Sequence, residues 1–331
     1  MGADTLLYLS RTEVAALLDL PDCVRAVEEA FRAHAEGRLP TAPAVLGTHL
    51  NDGGLHVKTA ALGSDPCHVA AKVNANFPHN PARFGLPTIQ GLILLFDGRR
   101  GTPLAVMDSI EITILRTAAA SAVAARLLSR ADAEVVGVCG CGRQGWSHLR
   151  ALAGIRPVRR ALVHDTNAGS AQRMATELGA ELGIEIKAVG SAEAAFAGAD
   201  IWVTCTPSRQ PFVTRAMFRP GIFLAAVGAD SPEKQELDPG FMEGCRVVVD
   251  LLDQAAVMGD LHHALAAGAM RREDVHAELG QVVAGQRPGR TSEAESFVFD
   301  STGTALQDVA AASLVYQRAL ERGRGTRLPL S

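Results

Sequence analysis

Glu134-Val-Val-Gly-Val-Cys-Gly-Cys-Gly-Arg-Gln-Gly-Trp146 is the stretch whose reading decides the fold. The β-branched run Glu134–Val138 predicts a buried strand. It runs into Gly140-x-Gly142-x-x-Gly145, and a helical pattern opens immediately afterwards. Strand, glycine turn, helix, in that order, is the context in which three such glycines carry chemical meaning. Gly140 suits a tight turn, Gly142 a close approach of pyrophosphate to backbone, and Gly145 close packing of helix on strand. The free N–H groups at the positive end of that helix then face the phosphates.

Working outward, the next strand, Arg160–His164, ends at Asp165. That lies roughly 20 residues beyond the last glycine, where this fold places a carboxylate on the ribose of a dinucleotide. An Asp accepts hydrogen bonds from both ribose hydroxyls and repels a 2′-phosphate, so NAD(H) is expected over NADP(H). The alternative is a surface Asp beside a glycine turn that holds nothing. Further βα units follow: a helix over Ala168–Leu182, a strand over Ile184–Val189 and a helix over Ser191–Ala197. Strands are then expected at Asp200–Thr206, Ile222–Val227, Arg246–Asp250 and Phe297–Phe299, with helical segments near Leu252–Gly259 and Val275–Gly285. Alternation of this kind predicts a doubly wound parallel sheet, the Rossmann arrangement, with ligands at the carboxyl ends of its strands. Thr204, Thr206 and Gly228-Ala-Asp230 fall at such ends.

An α+β block precedes this unit. Leu6–Leu39 reads as helical, with Ser10-Arg-Thr-Glu13 as a capping box and Pro40 and Pro43 ending the region. Strands are expected at Leu55–Thr59, Val69–Val73, Gly91–Phe96 and Pro103–Met107. Lys72 sits in an apolar strand, where an ammonium without a partner is costly. Lys58 occupies a similar position one strand earlier; the alternative for it is an edge-strand lysine with its head in water. A helix of small residues runs from Thr113, and Arg116 is the only charge on it between Glu111 and Arg126. An isolated Arg of this kind is expected to pair with a carboxylate, from elsewhere in the chain or from a ligand. The last helix, Ala305–Leu320 after the turn Asp300-Ser-Thr-Gly303, is expected to return to this first block.

With 331 residues, 47% hydrophobic and 21% charged, the chain has the composition of an ordinary globular protein of two domains. A net charge of -4 with scattered basic residues gives no reason to expect nucleic acid or an anionic membrane as partner. There is no apolar run long enough for a membrane span. The first residues match neither a secretory leader nor a myristoylation signal, and a cytoplasmic location is expected. The six cysteines and the pairs Cys67-His68 and His262-His263 have neither disulfide rhythm nor zinc spacing. No metal is expected.

Several stretches together resemble the ornithine cyclodeaminase/μ-crystallin family, over nearly the full length. They are Ala71-Lys-Val-Asn74, Asn80-Pro-Ala-Arg-Phe-Gly-Leu-Pro-Thr-Ile-Gln-Gly91, Leu104-Ala-Val-Met-Asp-Ser109, Leu115-Arg-Thr-Ala-Ala119 and Gly140-x-Gly142-x-Gln144. Val227-Gly-Ala-Asp-Ser-Pro-Glu-Lys-Gln-Glu-Leu237 and Phe299-Asp-Ser-Thr-Gly303 complete the set. The resemblance implies a substrate-binding and dimerising domain, residues 1–128 plus 303–331, around a Rossmann domain at 129–302. It implies a homodimer, a nicotinamide cofactor, and chemistry at the Cα–N bond of a small amino or imino acid. Carried over by position, Lys72 and Arg116 hold the substrate carboxylate, and Asp230 is the catalytic acid/base, with Lys72 the other catalytic candidate. Gly140, Gly142, Arg143, Gln144, Gly145, Asp165, Thr206, Lys234, Ser301, Thr88 and Arg116 contact the cofactor, and Thr302 lies beside the substrate.

Two departures bear on the reaction. The cyclodeaminases carry a further Arg in the region of residues 44–49, and a Glu on the strand before the lysine. This chain has no Arg between Arg38 and Arg83, and His56-Val-Lys58 on that strand. Lys58 is therefore expected to serve as a second carboxylate anchor, with His56 a polar contact. The lost Glu disfavours an ω-amine substrate, so net hydride transfer, by an amino-acid dehydrogenase or ketimine reductase, is favoured over cyclodeamination. A μ-crystallin-like binding protein is a third reading, and Asp230, which μ-crystallin lacks, speaks against it.

Overall fold

The structure, a computed structural model, describes residues 5–39, 41 and 43–330. It forms two compact units, Met1–Arg116 with Thr304–Ser331, and Thr117–Gly303. The small-residue helix Ile110–Leu128 contains the boundary between them, and the expected domain limit at residue 128 is its last residue.

The first unit is built on a mixed sheet. Its strands are β1 (Thr5–Leu9), β2 (Ala44–Leu50), β3 (Gly53–Leu62), β4 (His68–Asn76), β5 (Ile89–Asp97) and β6 (Pro103–Asp108). A C-terminal strand, Thr326–Pro329, pairs antiparallel with β1, giving the order C-terminal strand–β1–β6–β5–β4–β3–β2. The expected single helical region from Leu6 is corrected here. Leu6–Leu9 belong to β1, and the helix begins only after Ser10, whose capping box with Glu13 forms as expected. Pro40 lies outside the described residues; the strand β2 that follows was not anticipated.

Because side chains alternate across a strand, the register sorts this sheet into two faces. Lys58, Lys72, Ile93 and Met107 are successive partners on one face, and Ala60, Ala70 and Leu95 beside them are buried. The last helix, Ala305–Glu321, packs against β3 and β4. Leu46, Val57, Val73 and Leu92 are partners on the opposite face, where Leu46 and Leu92 remain 69% and 47% exposed.

The second unit is the expected doubly wound parallel sheet. Its strands are β7 (Val135–Cys139), β8 (Arg160–His164), β9 (Glu185–Ala188), β10 (Ile201–Thr204), β11 (Phe223–Ala226), β12 (Arg246–Val249), β13 (Ala277–Glu278) and β14 (Phe297–Asp300). They run parallel in the order β13-β12-β14-β11-β10-β7-β8-β9. Near-continuous burial of β10, β11 and β14 is what a sheet covered on both faces demands. One side of its core is anchored by Trp202, stacked on Phe196 at 4.5 Å. The helix expected over Val275–Gly285 is corrected: β13 takes its start, leaving only Leu279–Val283 helical. A helix over Asp260–Ala266 had no counterpart in the sequence reading. Strand order reverses at β7, which has β8 on one side and β10 on the other. Such a reversal opens the crevice in which this fold binds ligands.

Candidate functional site

In the second unit, the glycine turn fills the start of that crevice. Gly140 adopts φ +100, and a Cβ there would sit 2.7 Å from the Cys205 carbonyl oxygen. A Cβ on Gly145 would lie 2.1 Å from the Gly140 oxygen, so helix and turn approach as only glycine permits. Gly142 is the N-cap of the helix Arg143–Ala153, has open space where a Cβ would be, and offers no side chain to the first N–H groups. A helix start of this kind presents backbone donors and the positive end of the helix dipole to the cavity. A cavity of about 500 Å³ lies against the turn, lined by Gly140, Gly142, Asp165, Cys205, Thr206 and Pro207 among others. Asp165 Oδ2 accepts the Cys141 N–H and Oδ1 accepts the Asn167 N–H, both at 2.8 Å. Each oxygen retains a lone pair for a ribose hydroxyl. Ser301, at the end of β14, keeps its hydroxyl buried and without a partner among the described residues. The donor turn, the carboxylate and the open cavity fit a dinucleotide.

The loops at the ends of β10 and β11 are held by a carboxylate that the sequence reading gave no role. Glu236, fully buried, accepts the Thr206 N–H (2.6 Å) and hydroxyl (2.7 Å) on Oε1 and the Gly228 N–H (2.8 Å) on Oε2. Burial pushes its pKa up, against the pull of these donors. Asp260 Oδ1 in turn accepts the N–H groups of Glu236 and Leu237, each at 2.8 Å. Burial, with Glu236 beside it, pushes Asp260 up to about 8. Asp300 accepts the N–H groups of Asp260 and Leu261, and burial and Asp260 push it well above the usual carboxylate range. On the loop so fixed, Asp230 is partly exposed and pairs with Lys234 Nζ at 2.6 Å. Burial works against the Lys234 ammonium, but Asp230 outweighs it and holds the pKa above the ordinary value. Thr302 donates its hydroxyl to Asp250 (2.8 Å) and accepts from Gln254 Nε2 (2.7 Å), which commits it inside the unit.

In the first unit, a second cluster forms where the inner sheet face meets the last helix. Lys72 is 3% exposed and lies 2.8 and 2.7 Å from the two oxygens of Asp308, itself 1% exposed. Arg116 brings Nε to 3.0 Å from Asp308 Oδ1 and donates from Nη1 to Gln307 Oε1 at 2.7 Å. Nη2 has no protein partner among the described residues. Lys58, directly across from Lys72 in the register, is also buried. β2 covers its strand, which corrects the reading of Lys58 as an edge-strand lysine with a solvated head. Like charges directly opposite in a sheet repel. Burial, reinforced by Arg116 and Lys58 and opposed by Asp308, pushes Lys72 down to about 7. On Asp308 burial acts upward, but Lys72 and Arg116 outweigh it and hold the carboxyl below its usual range. A buried cluster richer in cations than in anions is built to take a further anion.

Of the residues expected in the first unit, Lys72, Arg116 and Lys58 thus come together. His56 lies two residues from Lys58 on the same face, half-buried. Thr88 precedes β5, where its carbonyl accepts the Phe77 N–H. Arg143 and Gln144 open the helix after the glycine turn. Asp308 and Gln307 went unnoticed because an acid in the first turn of a helix is ordinarily explained by the helix dipole. All six cysteines are free, and burial raises the thiols of Cys139, Cys141 and Cys205. Among the described residues, no group of His, Cys, Asp and Glu could hold a metal ion, and no helix is long and apolar enough to cross a membrane.

The family model for ornithine cyclodeaminase and mu-crystallin matches residues 5–323. The chain is 36% identical over 326 residues to an alanine dehydrogenase of Archaeoglobus fulgidus, covering 97% of this chain and 98% of that one. It superposes with a TM-score of 0.92 on an archaeal alanine dehydrogenase dimer with bound NAD, at 36% identity over 98% of this chain and 99% of the other. The Delta(1)-pyrroline-2-carboxylate reductase of Thermococcus litoralis, in complex with NADH and L-proline, gives 0.93 at 34% identity, with 97% and 99% covered.

Proposed function

Since the chain belongs to the ornithine cyclodeaminase/mu-crystallin family, we propose that it is an NAD(H)-dependent enzyme moving hydride to or from the Cα–N bond of a small amino or imino acid. The observation that carries this reading is the buried set Lys72, Arg116 and Asp308, with Arg116 Nη2 still available to a carboxylate. Nicotinamide supplies the hydride acceptor or donor when it is bound. Asp165 and the turn from Gly140 to Gly145 hold the dinucleotide, together with Arg143, Gln144, Thr206 and Ser301.

Lys72 and Arg116 grip the substrate carboxylate, which fixes the orientation of Cα and converts a bimolecular encounter into a positioned one. Lys58 adds positive charge beside them, and His56 is placed to make a polar contact further along the strand. Asp230 takes the proton from the substrate nitrogen during oxidation and returns it during reduction. Its partial exposure and its pairing with Lys234 supply a route for that proton to water.

The exposed apolar face of the first unit's sheet, with Leu46, Leu55, Leu92 and Leu94, is proposed to be covered by a second copy of the chain. A homodimer working in the cytoplasm is the assembly that this reading favours.

The test offers the protein NAD with a panel of amino acids, and NADH with cyclic imino acids or with 2-oxo acids plus ammonium. Appearance or loss of NADH absorbance is the expected result. Ammonia released from a diamino acid with no net change in NADH would replace net redox by cyclodeamination. Tight ligand binding without turnover would leave a binding protein.

A further inference from the structure

We propose that Asp308 is the positioning residue of the anion site: it keeps Lys72 charged and fixes Arg116 with one edge free for the incoming carboxylate. The inference rests on the reading of Lys72 and Arg116 given above, but its geometry does not. Asp308 stands in the first turn of the last helix, after the N-cap Thr304. A carboxylate there is normally solvated and serves the helix dipole. This one is fully buried, and both oxygens are within 3.0 Å of cationic nitrogens. Its neighbour Gln307 completes the arrangement by taking Nη1 of Arg116. Nε then faces Asp308 in an ion pair without making a hydrogen bond to it, Nη1 spends one of its two N–H groups on Gln307, and both N–H groups of Nη2 are without a protein partner among the described residues.

The groups facing Lys72 come from every element packed around it. Lys58 projects from β3, Arg116 from the helix Ile110–Leu128, and Asp308 from the last helix. Cys23, fully buried on the helix Leu20–Ala35, adds an uncharged thiol near Arg116 and Asp308. Asp308 is therefore the one anion in this set, against three cations. Without it, the repulsion of Arg116 and Lys58 acts on Lys72 unopposed, and a buried ammonium in that setting loses its proton. A neutral Lys72 does not hold a carboxylate.

Asp308→Asn in the full chain tests this with two readouts. The chain has only four lysines, Lys58, Lys72, Lys187 and Lys234, so isotope-labelled lysine gives four side-chain NMR signals. The one missing in Lys72→Met identifies Lys72. Removing an opposite charge in direct contact is expected to lower the Lys72 titration midpoint by about 1 to 3 pH units. The alkaline limb of kcat/KM for imino-acid reduction should move down with it. Above the new midpoint, KM should rise roughly tenfold for each pH unit of that displacement, with kcat changed far less. Asp308→Glu, which retains the charge one methylene away, should restore most of the Lys72 midpoint while KM stays raised, and it carries the test if the Asn variant does not fold. An unmoved Lys72 signal, or an unmoved alkaline limb with unchanged KM, overturns the proposal. A wild-type chain that turns over no amino or imino acid, but whose Lys72 signal still responds to Asp308→Asn, overturns the reading of the reaction and leaves the hold of Asp308 on Lys72 established.

Discussion

Replacing Glu236 by Gln should loosen the loops at the ends of β10 and β11. In the native arrangement one carboxylate satisfies two backbone N–H groups and a hydroxyl: Thr206 N and Oγ1 on Oε1, and Gly228 N on Oε2. The packing around it is tight, since a Cβ on Gly228 would meet the Thr206 oxygen at 2.2 Å and Glu236 itself at 2.5 Å. Gln can keep both Thr206 contacts through its carbonyl. Its NH2 group must then face the Gly228 N–H, donor against donor. A charge-assisted hydrogen bond contributes about 1.5–3 kcal/mol, and a buried donor left without an acceptor costs about 1–3 kcal/mol. Loss of the buried charge offsets part of this. The net destabilisation should be about 2 kcal/mol, a drop of roughly 4–8 °C in Tm for a unit of this size. Ala, which leaves all three donors without an acceptor, should cost more, about 3–5 kcal/mol. Because Thr206 also lines the cavity beside the glycine turn, the affinity for NAD, titrated directly, should weaken in both variants. A Gln variant that melts within about 1 °C of wild type and binds NAD equally well would refute the claim that Glu236 holds these loops.

Other expectations follow from the same geometry. Asp165→Ser removes the ribose carboxylate, so the ratio of KM for NADP to KM for NAD should fall sharply; a wild type that already prefers NADP would overturn the assignment. Asp230→Asn should lower kcat by roughly 10²–10⁴ while leaving NAD affinity nearly unchanged, measured by stopped-flow turnover and titration. Asp260, with its pKa raised from 3.8 to about 8, is an acid that binds its proton more tightly in the folded state. Its contribution to stability is full below the unfolded value and drains away as pH rises through the folded one. Asp260→Asn should therefore flatten the pH dependence of Tm across that window. Leu46→Glu with Leu92→Glu places charges on the exposed apolar sheet face, and should convert a dimer to a monomer by light scattering.

Features that depend on local order in the chain were readable before any coordinates. β7, the glycine turn and its helix adjoin in sequence, and Asp165 follows at a fixed offset, so the lining of the cavity at the turn could be assembled residue by residue. Lys72 and Arg116 drew attention because each is a charge in an apolar surrounding. Their partner did not: Asp308 lies 236 residues from Lys72, and nothing local distinguishes it from an ordinary acid at a helix start. Glu236 escaped for the same reason, since its work depends on which backbone N–H groups the folded loops bring to it. β1 was absorbed into the helix after it because Leu6 and Leu9 extend that helix's apolar pattern. The C-terminal strand, with Arg327 and Pro329, reads as a tail; it forms because β1 offers it an edge more than 300 residues away.

Hydride transfer at Cα is measured most directly with NADH deuterated at the transferring position, a cyclic 2-imino acid as acceptor, and mass spectrometry of the product. The predicted result is an amino acid carrying one deuterium at Cα, formed mole for mole with NAD. An amino acid without the label, or a labelled cofactor that survives unconsumed in the presence of the imino acid, would contradict it.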